Sequence, residues 1–196
     1  MRITVFLFIF LFVGFSIQAQ EAKFEVGDLA PNFSGVNQDS FEISSKELLE
    51  DGDLVLVFYR GAWCGYCQKH MSELEDSLSF ILDLGANVIA VTSEKPSSIT
   101  KMEEKSGASF SIIHDQDYSI MKSFGVLYEL NKETVPKFFS MVLKRTADAN
   151  GNDDNLLPVP ATFVIGHDGI IKWMHFDPDY TKRASIADIL EACVNS

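Results

Sequence analysis

The sequence predicts an α/β fold with a central mixed β-sheet flanked by helices, and three stretches carry that expectation. The first is residues 54–59, LVLVFY, an apolar run without alternation whose β-branched and aromatic residues suit a strand buried on both faces. The second follows the polar and glycine break at residues 60–68, where Met71, Leu74, Leu78, Ile81 and Leu82 recur at helical spacing between Lys69, Ser72, Glu73, Glu75 and Asp76. The third is residues 87–92, NVIAVT, a second buried strand after a stop at Gly85. Strand, helix and strand in that order imply a right-handed parallel crossover.

The remaining elements follow in order. Residues 26–33, VGDLAPNF, form an extended, proline-punctuated lead-in. Ser44, Ser45, Lys46 and Glu47 before Leu48 and Leu49 read as a capped helical turn, and Asp51-Gly52-Asp53 turns the chain into the central strand. Pro96 opens a polar helix that ends at Gly107. Residues 110–113 predict a short strand, and residues 118–124 a helical turn. Residues 128–158 are taken as an insertion, with loop composition over residues 149–155. That Asn/Asp run lacks the spacing of a calcium loop. Residues 162–165 and 170–174, joined through Asp168-Gly169, predict a β-hairpin, and residues 181–194 a closing helix with Ile186, Ile189, Leu190 and Cys193 on one face.

The 196 residues suit one domain with a sizeable core. Arg2, an apolar stretch over residues 3–17 and Ala19 have the pattern of a secretory signal peptide spanning residues 1–19. The apolar stretch is short for a membrane span, so a cleaved leader is expected, followed by a domain over residues 20–196 that is periplasmic or secreted and not stably inserted in a membrane. The formal charge is −12, and removing that leader takes away only Arg2, leaving −13. So acidic a chain is a poor partner for nucleic acid or anionic lipid.

The chemistry concentrates at Cys64 and Cys67, spaced CxxC where the central strand hands over to a helix. Unpaired amides and the positive end of the helix dipole favour a thiolate there, which makes a nucleophile. Cys64 is expected to be the more exposed and reactive, with Cys67 one turn on and close enough to close a disulfide. Trp63 and Tyr66 are expected as exposed aromatics beside the thiol. A structural disulfide or half a zinc site are the other readings of the spacing. No second CxxC or HxxxH pair completes four zinc ligands, and Gln68 replaces the histidine of a haem-attachment motif. His70 is read as a surface histidine with a weak claim as proton carrier, His114, His167 and His175 as scattered, and Cys193 as a small buried hydrophobe, with a distant resolving cysteine as the other reading.

Together, VGDLAPNF, VFYRGAWCGYC, HDQDYSIMKSFGV and VPATFVIGHDGII resemble the thioredoxin-like superfamily, within it the AhpC/TSA redoxins and peroxiredoxins, over about residues 25–194. The resemblance implies a thioredoxin-like fold, catalytic Cys64 and Cys67 and no cofactor. It also implies a cis-proline at Pro160 facing the cysteines, with Val159 and Pro160 holding substrate backbone. Two activities compete. As a thiol-disulfide oxidoreductase, Cys64 attacks a substrate disulfide and Cys67 resolves the mixed disulfide, and an unidentified thiol reductant restores the pair. As a peroxidase, Cys67 takes the place of the peroxide-reactive cysteine of the PxxxTxxC motif; the proline of that motif is replaced by Arg60 and the threonine by Cys64. Arg60 then stands in for an arginine that many peroxiredoxins carry where this chain has Pro160. A binding module that keeps the fold without catalysis is the reading from a different class.

Overall fold

The computed structural model describes residues 21–131 and 139–194; the expected leader lies outside the described residues. The central strand is β3 (Asp53–Phe58), buried along its whole length. Val55 and Val57, with Tyr59 beyond it, point into one apolar core, and Leu54, Leu56 and Phe58 into another on the opposite face. This double burial is why the stretch lacks alternation.

In chain order, β1 (Ser34–Val36) and β2 (Glu42–Ser44) form a small antiparallel ribbon, and α1 (Ser45–Asp51) precedes β3. Ser44 makes no side-chain cap on α1. Ser45 ties the lead-in down instead, its Oγ accepting the Phe33 amide at 2.9 Å. Past β3 come α2 (Gly65–Asp76), α3 (Leu78–Asp83), β4 (Ala86–Thr92), α4 (Pro96–Ser106), β5 (Ser111–His114) and α5 (Ser119–Ser123). The single helix expected after the cysteines is thus broken at Ser77, and Leu82, expected inside, is half exposed. Next are β6 (Leu127–Glu129), α6 (Phe139–Asn150), β7 (Leu156–Pro158), β8 (Ala161–Ile165), β9 (Ile171–Phe176) and α7 (Ile186–Val194). The main sheet has the order β5-β4-β3-β8-β9, with β3, β4 and β5 parallel and the β8–β9 hairpin antiparallel. It is the mixed sheet with flanking helices of a thioredoxin-like fold.

Two stretches differ from expectation. Within 128–158 the described residues form an arm with elements of its own: β6 and β7 pair antiparallel at its base, and α6 runs through Ala149 and Asn150 before Gly151 turns the chain at φ 81°, leaving only residues 151–155 as the loop expected over 149–155. The arm is pinned where β4 ends. Ser93 Oγ donates to Asn150 Oδ1 at 3.2 Å, Asn150 Nδ2 donates to the Leu156 carbonyl at 2.9 Å, and the Lys95 amide donates to the Ala149 carbonyl at 3.0 Å. The closing helix begins at Ile186 and not at residue 181, because Asp179 catches the Thr181 amide in a turn and Ser185 Oγ caps the Asp188 amide at 3.1 Å. Residues 177–185 are therefore a loop free to lie across the cysteine junction.

Replacing the buried Asn150 by alanine strips partners from Ser93 and Leu156 together. Asn150→Ala should lower the unfolding free energy by about 1–3 kcal/mol, read as a lower urea midpoint at unchanged slope.

Candidate active site

The chain leaves β3 through a tight loop, Arg60 to Trp63, and enters α2 with Cys64 at the N-cap and Cys67 in the first turn. The amides of Cys67 and Gln68 both donate to the Cys64 carbonyl at 3.0 Å. Gly61 is required in this loop. Its φ is +152°, and a Cβ there would meet Trp63 Nε1 at 2.6 Å and Glu94 Oε1 at 2.7 Å. Ala62 is gripped from both sides: its amide donates to Glu94 Oε1 and Oε2 at 2.9 Å, while its carbonyl accepts Gln68 Nε2 at 2.6 Å and Lys105 Nζ at 2.9 Å.

Both thiols are free and largely covered, Cys64 at 5 % exposure and Cys67 at 1 %. They are nonetheless polarised in opposite directions. The Cys67 thiol hydrogen-bonds the Cys64 sulfur and, against the cost of burial, holds the Cys64 pKa down to about 6; the Cys67 amide and the charges of Arg60 and Arg183 assist. Burial pushes the Cys67 thiol well up, and its bond and proximity to Cys64 push the same way, opposed by Arg183 and the Arg60 amide. Arg183 Nη2 lies 3.4 Å from the Cys67 sulfur. Sequence alone does not single out Arg183, which arrives from the 177–185 loop with no motif around it.

Glu94 is likewise not singled out by sequence, where it reads as part of the lead-in to α4. It is fully buried, and desolvation raises its carboxyl to about 8 despite the Ala62 amide and the nearby charge of Lys105. It is close enough to Cys67 for the two to resist each other's ionisation. The buried Tyr59 hydroxyl lies beside Glu94 and Thr92 with no hydrogen bond of good geometry, its ionisation suppressed first by burial and then by Glu94. One signal does point here: Glu94 follows the carboxyl end of a buried parallel strand, the edge where open α/β sheets place their sites.

Several expected site residues are rearranged. Arg60 is buried, its guanidinium 5.0 Å from the Trp63 ring and 4.3 Å from that of Tyr180, and Tyr66 packs edge-on to Tyr180 at 6.0 Å. Tyr66 is exposed as expected, whereas Trp63 is half-buried against the core. Pro160 adjoins the junction by register, since Ala161 pairs with Phe58. The described residues contain no cis peptide bond, so Pro160 is trans, the isomer any X–Pro bond prefers by ~0.5–1 kcal/mol. Both Val159 and Pro160 are buried, and the Val159 amide already donates to the Val126 carbonyl at 2.7 Å, leaving that donor engaged and closed to a substrate. His70 is buried rather than solvated, its Nε2 without a partner. Desolvation, then the charges of Arg183 and His175, lower it to about 4. Cys193 is the buried hydrophobe expected, its thiol raised to about 11 by burial.

Two measurements follow from these shifts. Cys64 should react with iodoacetamide at pH 7 faster than a free thiol, and Cys67→Ala, which removes the thiol donor, should raise the midpoint of the Cys64 thiolate absorbance by about one pH unit or more. His70 is neutral when folded and takes up its proton near pH 6.5 when unfolded. Its stabilising contribution is therefore full above pH 6.5 and lost as pH falls through about 4. Wild type should lose roughly 3 kcal/mol more than His70→Leu over that window in urea titrations.

The AhpC/TSA family model matches residues 26–174. Peroxiredoxin Bcp of Escherichia coli K12 is 26% identical over 153 residues, covering 76% of this chain and 95% of that protein. Thiol-disulfide oxidoreductase ResA of Bacillus cereus is 24% identical over 131 residues, covering 64% of this chain and 75% of its own. Among solved structures, peroxidoxin BcpB from Mycobacterium tuberculosis superposes with a TM-score of 0.65 at 19% identity, over 87% of this chain and 96% of that one, a likeness of fold. With a polarised CxxC pair where β3 meets α2 and a family match over most of its length, the chain belongs to the AhpC/TSA family and is a redoxin-type thiol oxidoreductase.

Proposed function

We propose that the protein is an exported thiol-disulfide oxidoreductase in which Cys64 attacks and Cys67 resolves. The observation that carries this reading is the opposite polarisation of the two thiols: Cys64 is held as thiolate at the more open position, and Cys67 is kept protonated behind it. The Cys64 thiolate attacks one sulfur of a substrate disulfide, the S–S bond breaks, and the departing sulfur leaves as a thiolate that takes a proton. In the mixed disulfide the Cys64 charge is gone, which removes a principal cause of the raised Cys67 pKa. Cys67 then gives up its proton, with ionised Glu94 as the buried base facing it, and attacks Cys64. The second substrate sulfur leaves, and the substrate has gained the two electrons that the Cys64–Cys67 pair lost. A thiol reductant returns the pair to the dithiol.

The peroxidase reading is kept by one contact, Arg183 beside the Cys67 sulfur, and by the likeness to Bcp. Against it stand the near-complete burial of Cys67 and its suppressed ionisation. The leader pattern of residues 1–19 supports export; among the described residues no helix is long and apolar enough to cross a membrane.

The test separates the two chemistries. Reduced protein should reduce a protein disulfide and leave hydrogen peroxide essentially unconsumed. Cys64→Ser should abolish disulfide reduction, and Cys67→Ser should accumulate the mixed disulfide. Peroxide turnover that is lost in Cys67→Ser but kept in Cys64→Ser would overturn the exchange reading. Glu94→Gln should slow release of the mixed disulfide by about 100-fold and erase the rise in that rate through about pH 8, while leaving the first attack unchanged.

A further inference from the structure

A pocket of about 250 Å³ opens beside Ala62 and Trp63, the two residues that precede Cys64. Ala62 and Trp63 form one wall, Ser98, Lys101 and Lys105 on α4 a second, and Arg145, Asp148 and Ala149 on α6 a third, with Glu94 beneath. Its charge runs against the rest of the molecule. In a chain of formal charge −12, three cations converge here. Of the two carboxylates, Asp148 is paired with Lys144 at 3.7 Å, and Glu94 is held largely protonated at neutral pH. Among the described residues, neither Lys101 nor Arg145 has a carboxylate within 4.0 Å. Lys105 turns its ammonium to the Ala62 carbonyl, so the group that steadies the loop before Cys64 also faces the pocket. The space is smaller than the ~300–1,000 Å³ of typical ligand clefts and suits one small anionic group rather than a whole substrate.

We propose that this pocket receives a carboxylate of a small anionic disulfide, placing the scissile S–S bond at Cys64, the residue next to Trp63. The proposal rests on the disulfide-exchange reading and names its substrate class as carboxylate-bearing low-molecular-weight disulfides. A guanidinium and an ammonium converging on a carboxylate give charge-assisted hydrogen bonds, and the local positive field draws such substrates to an otherwise acidic protein. The arm thereby becomes part of substrate recognition, since without α6 the third cation and one wall are missing.

The test compares dithiodipropionate, a dicarboxylate, with the neutral hydroxyethyl disulfide. Rates with reduced protein are normalised to the rates of both with dithiothreitol. Wild type should favour the dicarboxylate by about tenfold, and the preference should fall with added salt. The Lys101→Glu/Arg145→Glu double variant changes two exposed side chains and should reduce hydroxyethyl disulfide at the wild-type rate while losing the preference. Equal wild-type rates, or a preference that survives the double variant, would overturn the proposal. Calorimetric titration with thiodipropionate, which has both carboxylates and no disulfide, tests the pocket separately. Binding by wild type that is lost in the double variant supports it even if neither disulfide is reduced, in which case the exchange reading fails alone. No binding by wild type, with both disulfides reduced equally, overturns the pocket and leaves the exchange reading standing.

Discussion

The hydrogen bond from the Cys67 thiol to the Cys64 sulfur is the interaction on which the opposite polarisation of the two thiols depends. Two thiolates this close and this covered would repel each other in a medium that screens poorly, so the pair holds one proton and the environment decides where. At Cys64 the helix start supplies the Cys67 amide, and Arg60 and Arg183 add positive charge. At Cys67 burial prevails. The asymmetry lasts only while Cys64 is negative. Anything that neutralises the Cys64 sulfur removes one cause of the raised Cys67 pKa, so in the exchange sequence proposed above the first step prepares the second.

A buried carboxyl beside that pair is costly, and several contacts of the fold keep it there. Glu94 has both oxygens on one amide, that of Ala62, and this amide belongs to the loop that positions Cys64. Its neighbours on either side are fastened to the end of α6, Ser93 through Asn150 and Lys95 through the Ala149 carbonyl. The burial that raises the Glu94 pKa thus depends on the arm being in place. An arm that loosened would admit water to Glu94 and lower its pKa, so the segment most like a variable loop in composition is linked to the protonation of the carboxyl beside the thiols.

The alternation-free run at residues 54–59 and the CxxC spacing make the central strand and the thiol pair legible in the sequence, because both are local: one is a composition, the other a fixed step along a helix. Arg183 and Glu94 are not legible for the opposite reason. Each reaches the thiols through the topology, Glu94 from the end of the next parallel strand and Arg183 from a loop 116 residues beyond Cys67, and neither sits in a pattern that announces a site. His70 reads wrongly as a surface residue for a related reason: its helix is covered on two sides, so a position that would face water on a surface helix faces Arg183 and His175. The arm reads as loop because α6 needs packing on the β4–α4 turn in order to form, and helical propensity alone carries little of that.

The likeness to both a peroxiredoxin and a disulfide oxidoreductase has a physical counterpart in how the junction is covered. How open each cysteine of the junction is depends on what packs over it. Here Tyr180 and Arg183 come across from the loop before α7, Arg60 is clamped between the rings of Trp63 and Tyr180, and Cys67 lies under them at 1 % exposure. Cys64 keeps the small opening that remains. The motif supplies two cysteines, and the covering loop leaves them unequally exposed, so part of what distinguishes them lies outside the CxxC sequence itself.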